Sequence, residues 1–227
     1  EKAQNFLTSF GLDKKDEFVL IYTQSETCKS GFRHDQQSVE TSHYSAAIKW
    51  FLKQGIKVVK IGSPSTEEVL KFPGFIDLTQ ITAPGEIEIF LCGAAKFYLG
   101  SGSGPFYLAN QFGTPCALTA LLPYGPQRAG NFLQFQKLRD TQSQKTLSYD
   151  EVLDRRLGLV FSKKAFNRAG VAIIKSTSEE ILNFAKEAIN YFEHGEIFRK
   201  NKSLEAKLAS LRIFSGVCSE SHSLLVS

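Results

Sequence analysis

Residues 99–115, LGSGSGPFYLANQFGTP, place four small residues, Ser101, Gly102, Ser103 and Gly104, directly ahead of Pro105. Small side chains let a backbone come close to a ligand, and proline suits the first turn of a helix, where its missing N–H costs nothing. A helix entered in this way aims free amides and the positive end of its dipole at the bend, so the chemistry offered is the holding of an anion. The same small residues would also serve any tight strand-to-helix turn, and composition alone does not separate the two uses. The segment lacks the Gly-Lys-Ser/Thr of a phosphate-binding P-loop. It also lacks the third glycine of a GxGxxG turn, whose place is taken by Phe106.

Other chemistry-bearing residues are scattered. Arg33, His34 and Asp35 lie in a long polar stretch, residues 24–41, where Arg33 suits contact with a phosphate. Gly62 and Ser63 end a strand-like run, and Tyr124, Gln127, Arg128 and Lys137 fall in an irregular segment after another. Arg128 has the reach to meet a phosphate, although a solvated surface arginine is the more common case. His43 reads as a surface or capping residue, and Glu179 and Glu180 as carboxylates complementing a helix dipole behind the cap Ser178. No catalytic base stands out. The one local acid/base grouping, His34 with Asp35 or Glu40, is what an epimerase or hydrolase would need.

The elements that must position these residues follow from periodicity. Continuous apolar runs at residues 17–23, 56–61, 97–100 and 116–121 read as strands buried on both faces, with a short one at 75–78. Helical spacing appears at 2–10, in the segment opening at Thr41 or Ser42, and at 86–95, 104–112 and 179–192, with further helix signals at 148–153 and 197–214. Strands alternating with helices predict an α/β doubly wound parallel sheet of Rossmann-like type, with right-handed crossovers. The expected division is a ligand-binding domain over residues 1–195 and a helix with a loose tail over 196–227.

The net charge of +4, from 27 basic and 23 acidic residues, is spread along the chain and forms no nucleic-acid-binding block. No apolar run has the length of a membrane span. Cys28, Cys92, Cys116 and Cys218 are too widely separated for a zinc motif, and Cys92 and Cys116 read as buried thiols of a reduced compartment. With no methionine even at position 1, the chain reads as a piece of a longer protein.

The segment SGPFYLANQFGTP resembles the donor-site turn of nucleotide-sugar glycosyltransferases built from two Rossmann-like domains, the GT-B fold, and in particular their heptosyltransferase-like SGxxxLAxxxGTP pattern. HDQQSVETSHYSAAIKWFLKQGIKVVKIG, IEIFLCGAAKFYLGSGSG, LSYDEVL and STSEEILNFAKEAINYFE, in that order, are similar to a family of bacterial glycosyltransferases of surface-polysaccharide synthesis. The resemblance implies a donor-binding half that holds a nucleotide-sugar, using Arg33, Gly62, Ser63, Ser101, Gly102, Ser103, Gly104, Pro105 and Arg128. It further implies no metal, no cofactor beyond the nucleotide-sugar substrate, a glycan or lipid-linked acceptor and an amino-terminal acceptor domain. The place implied is the cytoplasm or the inner face of the inner membrane. Two departures stand out. The family's His-x-Arg at the end of the first strand is Tyr22, Thr23 and Gln24 here, and its Arg-Asn pair is Gln37 and Ser38. Both remove positive charge that would neutralise a diphosphate, which leaves a non-catalytic binding module as a further alternative.

Overall fold

A computed structural model describes residues 2–24, 39–62, 71–81, 85–122, 131–160, 163–194 and 217–218. The strands are β1 (Phe18–Thr23), β2 (Lys57–Gly62), β3 (Phe75–Asp77), β4 (Phe97–Gly100), β5 (Cys116–Leu121), β6 (Phe132–Phe135), β7 (Lys137–Asp140), β8 (Val171–Ile174) and β9 (Val217–Cys218). The helices are α1 (Lys2–Ser9), α2 (Ser45–Lys53), α3 (Gly85–Ala94), α4 (Gly104–Gln111), α5 (Tyr149–Asp154), α6 (Lys163–Arg168) and α7 (Ser178–His194).

Seven strands form one sheet in the order β3-β2-β1-β4-β5-β6-β9, and every adjacent pair is parallel. Consecutive strand residues point to opposite faces, so each central strand feeds two cores. On one face Leu20, Val59, Tyr98 and Leu118 pack with Leu7 of α1, Ile87 and Leu91 of α3, and Phe106 and Ala109 of α4. On the other, Val19, Ile21, Val58, Phe97 and Leu99 pack with Ala47, Ile48 and Phe51 of α2 and with Ile181, Phe184, Ala185 and Ala188 of α7. Burial on both faces is why these strands read as unbroken apolar runs. The expected doubly wound α/β sheet is therefore the observed one.

The chain winds outward from β1 through β2 to β3, then crosses back to β4 on the other side of β1. Strand order thus reverses between β1 and β4, the position at which sheets of this kind open a crevice at the carboxyl ends of their strands.

Several expectations are corrected beyond β5. Residues 123–145 read as irregular, yet they contain β6 and β7, because the buried polar residues Asn131, Gln134 and Gln136 interrupt the apolar pattern. Lys137 lies in β7 and pairs with Glu180, so it has a structural partner. β8 pairs antiparallel with β7, outside the main sheet. The residue capping α7 is Thr177, not Ser178. The Thr177 hydroxyl accepts the Glu180 amide (3.2 Å), and the Glu180 carboxylate accepts the Thr177 amide (2.9 Å). Ser178 instead accepts the Ala46 amide (3.1 Å), capping α2 from a distance in place of Thr41 or Ser42. Within 196–227 the described residues are Val217 and Cys218, which pair with Phe132 and Leu133 at the sheet edge. The helix signal at 197–214 lies outside the described residues. No helix among the described residues is long and apolar enough to cross a membrane.

Candidate functional site

At the carboxyl ends of β1 and β4, where the strand order reverses, Tyr22 and Gly100 stand opposite each other in the ladder. A methyl group on Gly100 would lie 2.6 Å from the Tyr22 carbonyl oxygen, so only glycine lets the two strands close here. Beyond Gly100 the chain turns out of the sheet at Ser101, which is buried. Gly102 and Ser103 are half-buried and Gly104 is exposed. A Cβ on Gly102 or Gly104 would meet nothing within 4 Å among the described residues, and neither residue has a positive φ. Conformation does not require glycine at these two positions. What it provides is space at the sheet edge.

Helix α4 starts from this bend with Ser103 as its extended N-cap (φ −152°, ψ 177°) and Pro105 in its first turn. The Ser103 carbonyl accepts the Tyr107 amide (3.2 Å), while the Ser103 side chain makes no capping bond. Pro105 has no N–H, and the amides of Gly104 and Phe106 have no backbone acceptor among the described residues. Phe106 and Ala109 are buried in the core, and the Cys92 thiol reaches the Pro105 carbonyl (3.5 Å), so the helix start is anchored from below. The helix thus begins at the carboxyl end of β4, beside the place where the strand order reverses. Such an arrangement attracts a phosphate or other anion.

The fully buried Tyr98, one turn of chain earlier, holds the bend. Its hydroxyl donates to the Ser101 carbonyl (2.8 Å) and lies 3.0 Å from Ser103 Oγ. Burial pushes the phenol well above the usual tyrosine range, so it keeps its proton. Sequence reasoning missed this residue, whose signal was a lone hydroxyl in the otherwise apolar strand FYLG. Across the sheet, Tyr44 is equally buried and its hydroxyl meets Thr119 Oγ1 (2.6 Å) at the irregular end of β5, where Ala120 takes a left-handed φ of 52°.

The remaining expected residues are distributed as follows. Ser101, Gly102, Ser103, Gly104 and Pro105 form the bend. Gly62 ends β2, two strands from β4, and its φ of 109° and a Cβ collision with the Thr23 carbonyl give its identity a local steric cause. Arg33, His34, Asp35, Gln37, Ser38, Ser63, Tyr124, Gln127 and Arg128 lie outside the described residues. Tyr22 is half-buried, and Thr23 and Gln24 are buried, so the end of β1 presents no cation to the crevice. His43 Nδ1 donates to the Ser176 carbonyl (2.7 Å), a tie between the start of α2 and that of α7 in keeping with a structural role. Cys92 and Cys116 are free and buried, and burial raises their thiols to about 11 and about 12. Among the described residues, no three His, Cys, Asp or Glu side chains gather where they could hold a metal ion.

No family model and no curated protein matches the sequence. Solved structures do. The chain is similar to a family 9 glycosyl transferase from Veillonella parvula DSM 2008, with a TM-score of 0.48 and 14% identity over 83% of this chain and 50% of that one. It is also similar to E. coli ADP-heptose LPS heptosyltransferase II, with a TM-score of 0.40 and 16% identity over 58% of this chain and 40% of that one. The iron-containing dodecameric glycosyltransferase TibC of enterotoxigenic E. coli H10407 gives a TM-score of 0.33 and 26% identity over 46% of this chain and 27% of that one. The chain thus spans half or less of the length of each. At TM-scores below 0.5 these likenesses bear no weight on function, which rests on the geometry of the sheet edge.

Proposed function

We propose that this chain is the nucleotide-sugar-binding domain of a glycosyltransferase that builds a bacterial surface glycan, and that it works beside an amino-terminal acceptor domain. One observation carries the reading: at the strand-order reversal, a bend of small residues leads into a helix whose N-cap side chain makes no capping bond and whose Gly104 and Phe106 amides have no backbone acceptor among the described residues. Its resemblance to the SGxxxLAxxxGTP donor-site turn adds the nucleotide-sugar. The diphosphate sits on the Gly104 and Phe106 amides, and Arg33 and Arg128 are the cations proposed to complete its neutralisation. In transfer, the sugar–oxygen bond to the diphosphate breaks as the acceptor hydroxyl attacks. The amides then stabilise the charge gathering on the departing nucleoside diphosphate. The base that takes the acceptor proton belongs to the acceptor side. Metal ions are not needed for the charge balance in this scheme.

The test is incubation of the chain, together with its acceptor domain, with a panel of nucleotide-sugars and glycan acceptors. Nucleoside diphosphate released in step with a lengthened acceptor is the expected result. Binding of no nucleotide-sugar, or epimerised sugar without transfer, would overturn the reading.

A further inference from the structure

Helices α3 and α4 are apolar on two sides. Ile87, Leu91, Phe106 and Ala109 face the core, while Ile89 (48% exposed) and Phe90 (36%) of α3, with Tyr107 (58%), Leu108 (38%) and Phe112 (54%) of α4 and its end, face outward. A surface helix ordinarily gives its outer side to charged and polar residues, and one that is apolar all round is covered on both sides. On the opposite face of the sheet that pattern holds, for the exposed positions of α2 and α7 include Lys49, Lys53, Glu179, Asn183 and Lys186.

The two outer sides make one surface. α3 and α4 pack side by side, and Cys92 of α3 fastens both ends of α4: its carbonyl accepts the Thr114 hydroxyl (2.7 Å) and its thiol reaches the Pro105 carbonyl (3.5 Å). The Phe112 ring lies over Gly93, where a Cβ would stand 3.3 Å from Phe112 Cγ. At ~150–250 Å² for a large side chain, the exposed fractions come to roughly 400–500 Å² of apolar surface. Contiguous apolar patches of this size mark interaction sites. A specific contact needs about 500 Å² from each partner, so the area matches a reversible association and falls short of an obligate one.

Charge selects the occupant. Residues 97–127 contain no Asp, Glu, Lys, Arg or His, and the carboxylates of α3, Glu86 and Glu88, are confined to its first turn. An anionic membrane or an acidic partner would be met by basic residues, and neither helix has one. A second copy of the chain brings the same uncharged surface. About a two-fold axis apolar side chains meet apolar side chains, and the antiparallel crossing of the two α3 helices carries their acidic turns to opposite ends of the contact.

We infer that the outer side of α3 and α4 is a self-association surface through which two copies of this chain form a reversible, two-fold dimer. Tyr107 and Phe112, its most exposed side chains, are the anchors. None of the five outward side chains belongs to the proposed diphosphate site.

Sedimentation of the full chain over a dilution series tests this, with hydroxyl-radical labelling of Tyr107 and Phe112 at each concentration. The expected result is a monomer–dimer equilibrium in the micromolar range, both rings being protected in the dimer and labelled in the monomer. Ile89→Lys and Tyr107→Lys, at exposed positions that the fold does not depend on, set a lysine against the apolar face and weaken dimerisation at least about tenfold. Lys53→Glu, exposed on α2 across the sheet, leaves the equilibrium unchanged. A wild type that stays monomeric would overturn the inference, whether its two rings are labelled or are covered by another part of the chain. So would open-ended polymers in place of dimers, a dimer whose rings label as freely as the monomer's, a dimer undiminished in both lysine variants, or equal weakening by Lys53→Glu.

Discussion

A Cβ on Gly100 would stand 2.6 Å from the carbonyl oxygen and 3.1 Å from both Cβ and N of Tyr22, its ladder partner across the strand-order reversal. The two central strands are thus closed over a position with no room for a methyl group, directly beneath the bend that opens at Gly102. Gly100→Ala is expected to force β1 and β4 apart and to cost about 1–3 kcal/mol, as overpacking does in a filled core. Denaturant unfolding measures it. A variant as stable as the parent would show that the closure carries no strain.

Lys60 in β2 is fully buried, and its ammonium meets Asp77 Oδ2 (3.0 Å) and Thr79 Oγ1 (3.2 Å). Asp77 also accepts the Thr79 amide (2.9 Å) and hydroxyl (2.6 Å) through its other oxygen. Lys60→Met leaves that carboxylate buried without its cation and should cost about 3–5 kcal/mol. Adding Asp77→Asn should return part of the loss, because the amide oxygen still accepts from Thr79 while the unpaired charge is gone. A double variant less stable than Lys60→Met would contradict this account of the pair.

Asp140, at the end of β7, accepts the Ser143 amide (2.9 Å), the Arg155 guanidinium (2.8 Å) and the Gln142 amide (3.1 Å). These bonds, the Ser143 backbone first and Arg155 next, hold its carboxyl well below the usual carboxylate range. The folded pKa lies below the unfolded one, so this stabilisation is present above the ordinary carboxylate range and is lost as pH falls through it toward the folded value. Asp140→Asn should therefore be less stable than the parent at neutral pH, with the gap narrowing in acid. Thermal melts across pH measure it, and a gap independent of pH would show that the charge is not what matters.

Cys92 and Cys116 provide a check on the core beneath α4. With their thiols raised to about 11 and about 12 by burial, both should resist alkylation near neutral pH in the native protein and react on unfolding. Mass mapping after a brief alkylation reads this directly. Native-state labelling of either would mean that the anchor under Pro105 is open.

The parts of this molecule legible in its sequence are those where burial and chemistry agree. β1, β2, β4 and β5 lie between two layers of helices and carry unbroken apolar runs, and the bend after β4 announces itself by its small residues. β6 was hidden because Gln134 is buried in the middle of it, and β9 because two residues make no pattern. The α7 cap was displaced by one residue, since Thr177 and Ser178 are equally good caps locally and only the packing of α7 on α2 gives Ser178 its other task. Tyr98 could not be found by spacing, because its partners are a carbonyl and a hydroxyl brought within reach only once the bend is formed.

The most direct measurement is calorimetric titration of a nucleoside diphosphate into the wild type and into Gly102→Trp. Among the described residues nothing lies within 4 Å of a Cβ at Gly102, so the variant should fold and melt as the parent does while its indole occupies the space above the bend. The account predicts one diphosphate bound per chain in the wild type and affinity at least about tenfold weaker in the variant. No binding by the wild type, or equal binding by a correctly folded Gly102→Trp, would contradict it.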